Sequence, residues 1–210
     1  MNCWGANYDG ELGNGSQGSG ITPVQVVGVG KIGFLSGVAS LTNSFGGTTC
    51  ALLISGGVDC WGYGADGMFG NGGTASSFAT PVQVVDVGGS GTLGGVVSLA
   101  GNGSGVGTEA GRGGFCALLI SGGVDCWGYG ADGELGNGTA TTSATPVQVV
   151  DVGGSGTLGG VASLPGNVSG AFCAALTSGG VDCWGGGGLL GNGSIIGSVV
   201  PVQVAAVSGV

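Results

Sequence analysis

The chain of 210 residues contains no histidine and only two basic residues, Lys31 and Arg112, against eleven acids, for a net charge of −9. Binding to nucleic acid needs clustered Lys and Arg to displace phosphate counterions, and two cations form no such stripe. The same shortage removes the usual attraction to anionic membrane surfaces. Without histidine, a nucleophilic cysteine lacks its customary base, and acid–base work falls to carboxylates alone. No apolar run approaches the roughly 18 residues of a membrane-spanning helix, so membrane insertion is not expected. Proline is scarce at five residues, glycine follows no every-third-residue period, and a collagen triple helix is excluded. Only 6% of residues are charged while 42% are hydrophobic, the reverse of a disordered chain. Met1 is followed almost at once by Cys3-Trp4-Gly5, already inside the repeating pattern, so no signal peptide is read and a trimmed form or a piece of something larger is expected.

What the chain has in abundance is glycine, 56 residues of it, and repetition. Residues 50–67, CALLISGGVDCWGYGADG, differ from residues 116–133 in no position. Cys-Trp-Gly occurs at 3–5, 60–62, 126–128 and 183–185. Each copy leads to Gly-Asn-Gly (13–15, 70–72, 136–138, 191–193) and then to Pro-Val-Gln-Val (23–26, 81–84, 146–149, 201–204). The whole of 1–210 reads as one repeat domain, with units near 1–45 (partial), 46–111, 112–168 and 169–210 (partial). The middle period is longer, and its extra residues fall in the glycine-rich stretch from Gly101 to Gly114, expected to be a surface loop.

Within a unit, Cys116–Ile120 and Val124–Trp127 are β-compatible runs on either side of Ser-Gly-Gly, a hairpin turn signal. A third strand is expected at Pro146–Val150, with proline in first position where its missing N–H costs least, and a fourth at Gly160–Leu164. No stretch carries a helical apolar period with caps. The expected fold is all-β, with four short antiparallel strands per unit as in propeller blades.

The phrase CALLISGGVDCWGYGADGELGNG (116–138) followed by TPVQV (145–149) resembles the regulator-of-chromosome-condensation repeat, in its cysteine-bearing form common in secreted bacterial proteins. The resemblance covers nearly the whole chain and implies β-propeller blades, usually seven to a ring. It does not carry function, since the family includes exchange factors, sensors, inhibitors and scaffolds. Here three hairpins are complete and one is halved, because Cys3-Trp4 lacks the strand that precedes every other Cys-Trp. About three and a half blades are expected, as an open arc or completed by another chain.

The ten-residue spacing makes Cys50–Cys60, Cys116–Cys126 and Cys173–Cys183 disulfide candidates and leaves Cys3 unpaired or intermolecular. If the turn is Ser55-Gly56-Gly57, the two cysteines lie diagonally, about 7–8 Å apart, beyond the usual span of about 4.4–6.8 Å; a two-residue Gly-Gly turn puts them on opposite faces. Buried free thiols are the alternative. The secreted character of similar repeats favours bridges and an extracellular or cell-surface location. Trp4, Trp61, Trp127 and Trp184 sit at one place per unit, as wedges between blades or as a row for sugar binding. Asp9 and Glu11, with Asp132 and Glu134, are weak calcium candidates on Asp-Gly-Glu loops that turn chemistry alone explains. Asn14, Asn102, Asn137, Asn167 and Asn192 begin sequons of the same turn chemistry. Asp59, Asp125 and Asp182 recur singly beside Cys-Trp and do not pair for glycoside chemistry. No catalytic residue and no cofactor is assigned. The expected function is a non-enzymatic, self-associating extracellular scaffold, filament or surface-layer component, because thirteen charged residues leave apolar, glycine-rich faces. The alternative is a module that binds a protein or glycan through its loops, Glu109 and Arg112 among them.

Overall fold

A computed structural model describes residues 1–44, 47–103, 112–165, 170–186 and 190–205. Among these described residues, fourteen strands form four antiparallel sheets. The first has two strands, β1 (Asn2–Gly5) and β2 (Gly20–Gln25). The second has four, β3 (Val38–Asn43), β4 (Thr48–Leu53), β5 (Val58–Tyr63) and β6 (Ser77–Gln83), in chain order. The third joins β7 (Val96–Gly103), β8 (Gly113–Leu119), β9 (Val124–Gly128) and β10 (Ser143–Gln148). The fourth joins β11 (Val161–Ser163), β12 (Ala171–Leu176), β13 (Val181–Gly185) and β14 (Ser198–Gln203). These are three complete blades and half of another, and the only helical element among the described residues is a 3₁₀ turn at Val29–Lys31. The surface-loop reading of Gly101 to Gly114 falls largely on 104–111, outside the described residues.

Each blade's central hairpin departs from the expected turn by one residue. Leu53 N–H donates to Gly57 O, so the loop is Ile54-Ser55-Gly56, with Gly56 in the left-handed region at φ 82°. Cys50 then stands directly opposite Cys60, not diagonal to it. Pairs alternate along an antiparallel ladder. Leu53–Gly57 is hydrogen-bonded, so Cys50–Cys60 falls on a closely spaced, non-bonded pair. Bridges join Cys50–Cys60, Cys116–Cys126 and Cys173–Cys183, each across 4.1 Å between Cα atoms.

The third strand also differs from expectation, because β10 starts at Ser143 and places Pro146 inside it. That strand is the outer edge of its sheet, so the missing N–H faces no neighbour, and a register shift between Ser143 and Val147 absorbs the irregularity. Beyond it, the glycine-rich excursions return through single bridges, Val85 with Thr92 and Val150 with Thr157. Asp86 and Asp151 close them by accepting backbone N–H groups from residues 90–91 and 155–156 at 2.9 Å. Those donors hold the Asp151 carboxyl below its ordinary pKa.

The apolar cores lie between blades. One cluster joins Cys50, Leu52 and Cys60 to Phe115, Ala117 and Trp127 of the next sheet. Another joins Cys116, Leu118 and Cys126 to Phe172, Ala174 and Trp184. The first two bridges therefore stiffen faces that the following blade covers, while Cys173–Cys183 lies in the last blade. Closing a loop of ten residues constrains the unfolded chain by about 2–3 kcal/mol on the entropic model. Replacing Cys116 and Cys126 together with serine is expected to lower stability in urea by about that amount, with the other two bridges intact by mass spectrometry.

Candidate functional site

The junction between blades is built from the recurring phrases. Trp61, Trp127 and Trp184 are fully buried, and each indole Nε1–H donates to a carbonyl in the loop of the preceding unit: Glu11 O at 2.9 Å, Met68 O at 3.0 Å and Glu134 O at 3.0 Å. The first glycine of Gly-Asn-Gly in the first three units sits close against the pyrrole side of that ring. A Cβ on Gly13 would stand 2.8 Å from the Trp61 indole, on Gly70 2.8 Å from Trp127, and on Gly136 2.6 Å from Trp184. These glycines also hold φ near +61° to +62°, so both the space and the backbone demand glycine. The second glycine reaches across as well, with Gly15 N–H donating to Ala79 O, Gly72 to Ala144 O and Gly138 to Val199 O. The asparagine between them turns inward on its own loop, Asn14 accepting from Ser16 and Asn137 from Thr139.

At the two ends the same parts stand without counterparts. Trp4 is 66% exposed, although it occupies the place that is fully buried in the other three units. Gly191 keeps φ +70° but, among the described residues, its nearest contacts are with the Val204 side chain and not with an indole. Beside them Ala171, Cys183 and Leu190, with half-buried Cys173 and Val202, form an apolar cluster on the last blade. Cys3 is the free thiol, and burial raises its pKa.

Between the third and fourth sheets opens a cleft of about 490 Å³. Its polar wall comes from the third blade. Glu134 is 4% exposed and accepts the Asp132 N–H on Oε2 at 3.0 Å. Tyr129 donates its hydroxyl to Asp132 Oδ2 at 3.2 Å, and the Arg112 guanidinium lies 5.0 Å over the Tyr129 ring. Asn102 is buried, spends Oδ1 on the Gly114 N–H, and leaves Nδ2 without an acceptor. Burial pushes the Glu134 carboxyl from 4.5 up to about 7, and it raises the Tyr129 phenol too, with the Asp132 charge adding to it. Asp9 and Glu11 repeat the loop geometry, Asp9 N–H donating to Glu11 Oε2 at 3.0 Å. Among the described residues no three His, Cys, Asp or Glu side chains converge as a metal set.

Two smaller hollows, of about 260 and 220 Å³, repeat beside Asp59 with Gln83 and Asp125 with Gln148. Asp59, Asp125 and Asp182 are 3–4% exposed, and burial raises each carboxyl's pKa. They lie one to a sheet. Glu109 lies outside the described residues.

No protein-family model matches the chain. Its blades superpose on human WBSCR16 with a TM-score of 0.70 at 22% identity, over 98% of this chain and 48% of that one. Yeast RCC1 (Prp20), solved bound to Kap60, gives 0.68 at 17% identity over 98% and 44%. Prp20p from Saccharomyces cerevisiae, described with its binding properties to Gsp1p and histones, gives 0.66 at 20% over 99% and 46%. The chain spans about half the length of these structures. The likeness shows the fold, RCC1-like propeller blades.

A carboxyl whose folded pKa is raised adds stability below its unfolded pKa and loses it as pH climbs through the folded one. Stability is therefore expected to fall between pH 4.5 and about 7 as Glu134 ionises. Glu134→Gln keeps the acceptor for Asp132 and removes the charge. It should match the parent at pH 4 in urea melts and exceed it at pH 8 by roughly 1–2 kcal/mol, a figure reduced for screening at the cleft mouth.

Proposed function

We propose that this chain is a non-enzymatic repeat protein of an oxidising, extracellular or cell-surface setting, and that it works as a scaffold whose copies join end to end. One observation carries the reading. The indole-on-glycine contact occurs three times inside the chain, and its two halves stand apart at the ends, Trp4 at 66% exposure and Gly191 with no indole against it. Further blades of a longer chain would offer each half its complement, and so does a second copy. Such a contact is heterologous, so it closes into a ring or extends as a filament according to its rotation. The three bridges support the oxidising setting. No helix among the described residues is long and apolar enough to cross a membrane. The non-enzymatic part rests on the missing histidine and on the spread of Asp59, Asp125 and Asp182 over separate blades.

A second reading, recognition of a ligand by this blade fold, is favoured by the cleft at Glu134. RCC1-type neighbours are described with protein partners, Kap60 for one and Gsp1p and histones for another, so a protein ligand is the natural class.

Light scattering on the 210-residue chain should give a mass above that of one copy, rising with salt as the net −9 charge is screened. Trp4→Ala and Gly191→Glu should each dissolve the assembly. Mixing the two single variants should restore pairs and nothing longer, because one intact Trp4 face and one intact Gly191 face remain. A monomer at high protein concentration and high salt overturns the proposal.

A further inference from the structure

We propose that Asn192 is a site of spontaneous covalent modification, deamidating through attack by the Gly193 nitrogen, and that blade packing shields its counterparts from the same reaction. The chemistry belongs to the Asn-Gly pair, which the chain carries five times, at 14–15, 71–72, 102–103, 137–138 and 192–193. The glycine nitrogen gives its proton to hydroxide and attacks the asparagine Cγ. A C–N bond forms, the Cγ–Nδ2 bond breaks, and the amide takes a proton from water to leave as ammonia. Water then opens the five-membered imide at one carbonyl to give aspartate, or at the other to give isoaspartate, whose backbone runs through the former side chain. Glycine favours the attack because no Cβ crowds its nitrogen.

Four of the five pairs sit in the same loop, so the repeat supplies its own controls. Asn14, Asn71, Asn137 and Asn192 are all half-buried. Each accepts on Oδ1 the N–H two residues on, at 3.0, 3.0, 3.2 and 3.0 Å. The glycines that follow hold nearly one conformation, at φ 83°, 80°, 85° and 82°. What separates them is the partner of the glycine N–H. Gly15, Gly72 and Gly138 donate across the junction to Ala79 O at 2.8 Å, Ala144 O at 2.9 Å and Val199 O at 2.9 Å. Among the described residues the Gly193 N–H has no acceptor. A proton held by a carbonyl reaches hydroxide only when the junction opens locally, as in hydrogen exchange. The Gly193 proton meets no such barrier. The fifth pair is restrained by its sheet, with Asn102 buried in β7 and its Oδ1 holding the Gly114 N–H.

The three acceptors share a place two residues before the proline of Pro-Val-Gln-Val. In the first unit that place is Ile21, which is fully exposed. A joined second copy, or a further blade of a longer chain, would present this carbonyl to Gly193 and stop the reaction. The site itself does not depend on the end-to-end reading; its protection by a second copy does. The product places a carboxylate next to Gly191, on a chain already at −9.

The test is peptide mapping by mass spectrometry after incubating the full chain in mildly alkaline oxygen-18 water, which labels every hydrolysed imide. The first arm uses Trp4→Ala, which cannot join end to end. Asn192 should convert at least about tenfold faster than Asn14, Asn71 or Asn137, the scale of one lost hydrogen bond, with isoaspartate appearing beside aspartate. In urea with the bridges reduced, all four should convert at similar rates. Hydrogen exchange at Gly193 should likewise outpace that at Gly15, Gly72 and Gly138. In the second arm, raising the concentration of the parent chain should slow Asn192. If it does not, while Trp4→Ala still converts selectively at Asn192, the end-to-end joint falls and the modification site stands. Equal rates at the four asparagines of the folded chain overturn the proposal, as does an Asn192 that reacts in urea and not in the folded chain.

Discussion

Each blade is held to the next by an indole ring set close against a glycine, with the ring N–H reaching a carbonyl of the preceding loop. A blade of short strands cannot cover its own face, and three apolar clusters of this chain, each with one buried tryptophan, span neighbouring units. The tryptophan is the largest side chain in each cluster, and a close approach of backbone to ring is possible only where no Cβ intervenes. Gly13, Gly70 and Gly136 meet that demand. Cys-Trp-Gly and Gly-Asn-Gly are therefore two halves of one joint, and they recur together because neither works alone.

The bridges and the sparse charge follow from the same arrangement. Cys50 with Cys60, and Cys116 with Cys126, lie in the hairpin pair that the next blade covers. Fixing that pair keeps flat a surface that must match a rigid ring. Glycine is otherwise a poor strand former, and with more than a quarter of the chain glycine the cross-link offsets part of the lost conformational entropy. Most charges are confined to loops, Asp86 and Asp151 closing the excursions after the edge strands.

Strand content and blade count were legible in the sequence because both follow from local signals: β-branched runs, Gly-Gly turns and a fixed period. The cysteine register was not legible. It depends on which residue takes the left-handed conformation, and the turn settled one position earlier, with Gly56 and not Gly57 at positive φ. Pro146 inside β10 was hidden for a related reason, since only its edge position makes an interior proline tolerable. The Gly-Asn-Gly loop reads as a turn from sequence, and its close contact is with a ring about fifty residues further along the chain. The cleft was less visible still. Glu134 and Asp132 lie two apart in sequence, but Asn102 arrives from β7 and Gly170 and Gly186 come from the next blade.

A repeat chain makes departures from its own rule informative. Residue 68 and residue 134 hold equivalent places in successive junctions, one a fully buried methionine and the other a carboxyl raised to about 7 by burial. The methionine answer is available in the same sequence, and it packs without an ionisable group. Retaining glutamate costs stability at neutral pH, where the group must either ionise in a poor environment or hold a proton it would give up in water. The neighbouring Asn102 adds an unsatisfied amide to the same wall. Glu11 holds the same place in the first unit and accepts the Asp9 N–H as Glu134 accepts the Asp132 N–H, so the carboxylate fastens its own loop and the methionine at residue 68 is the departure.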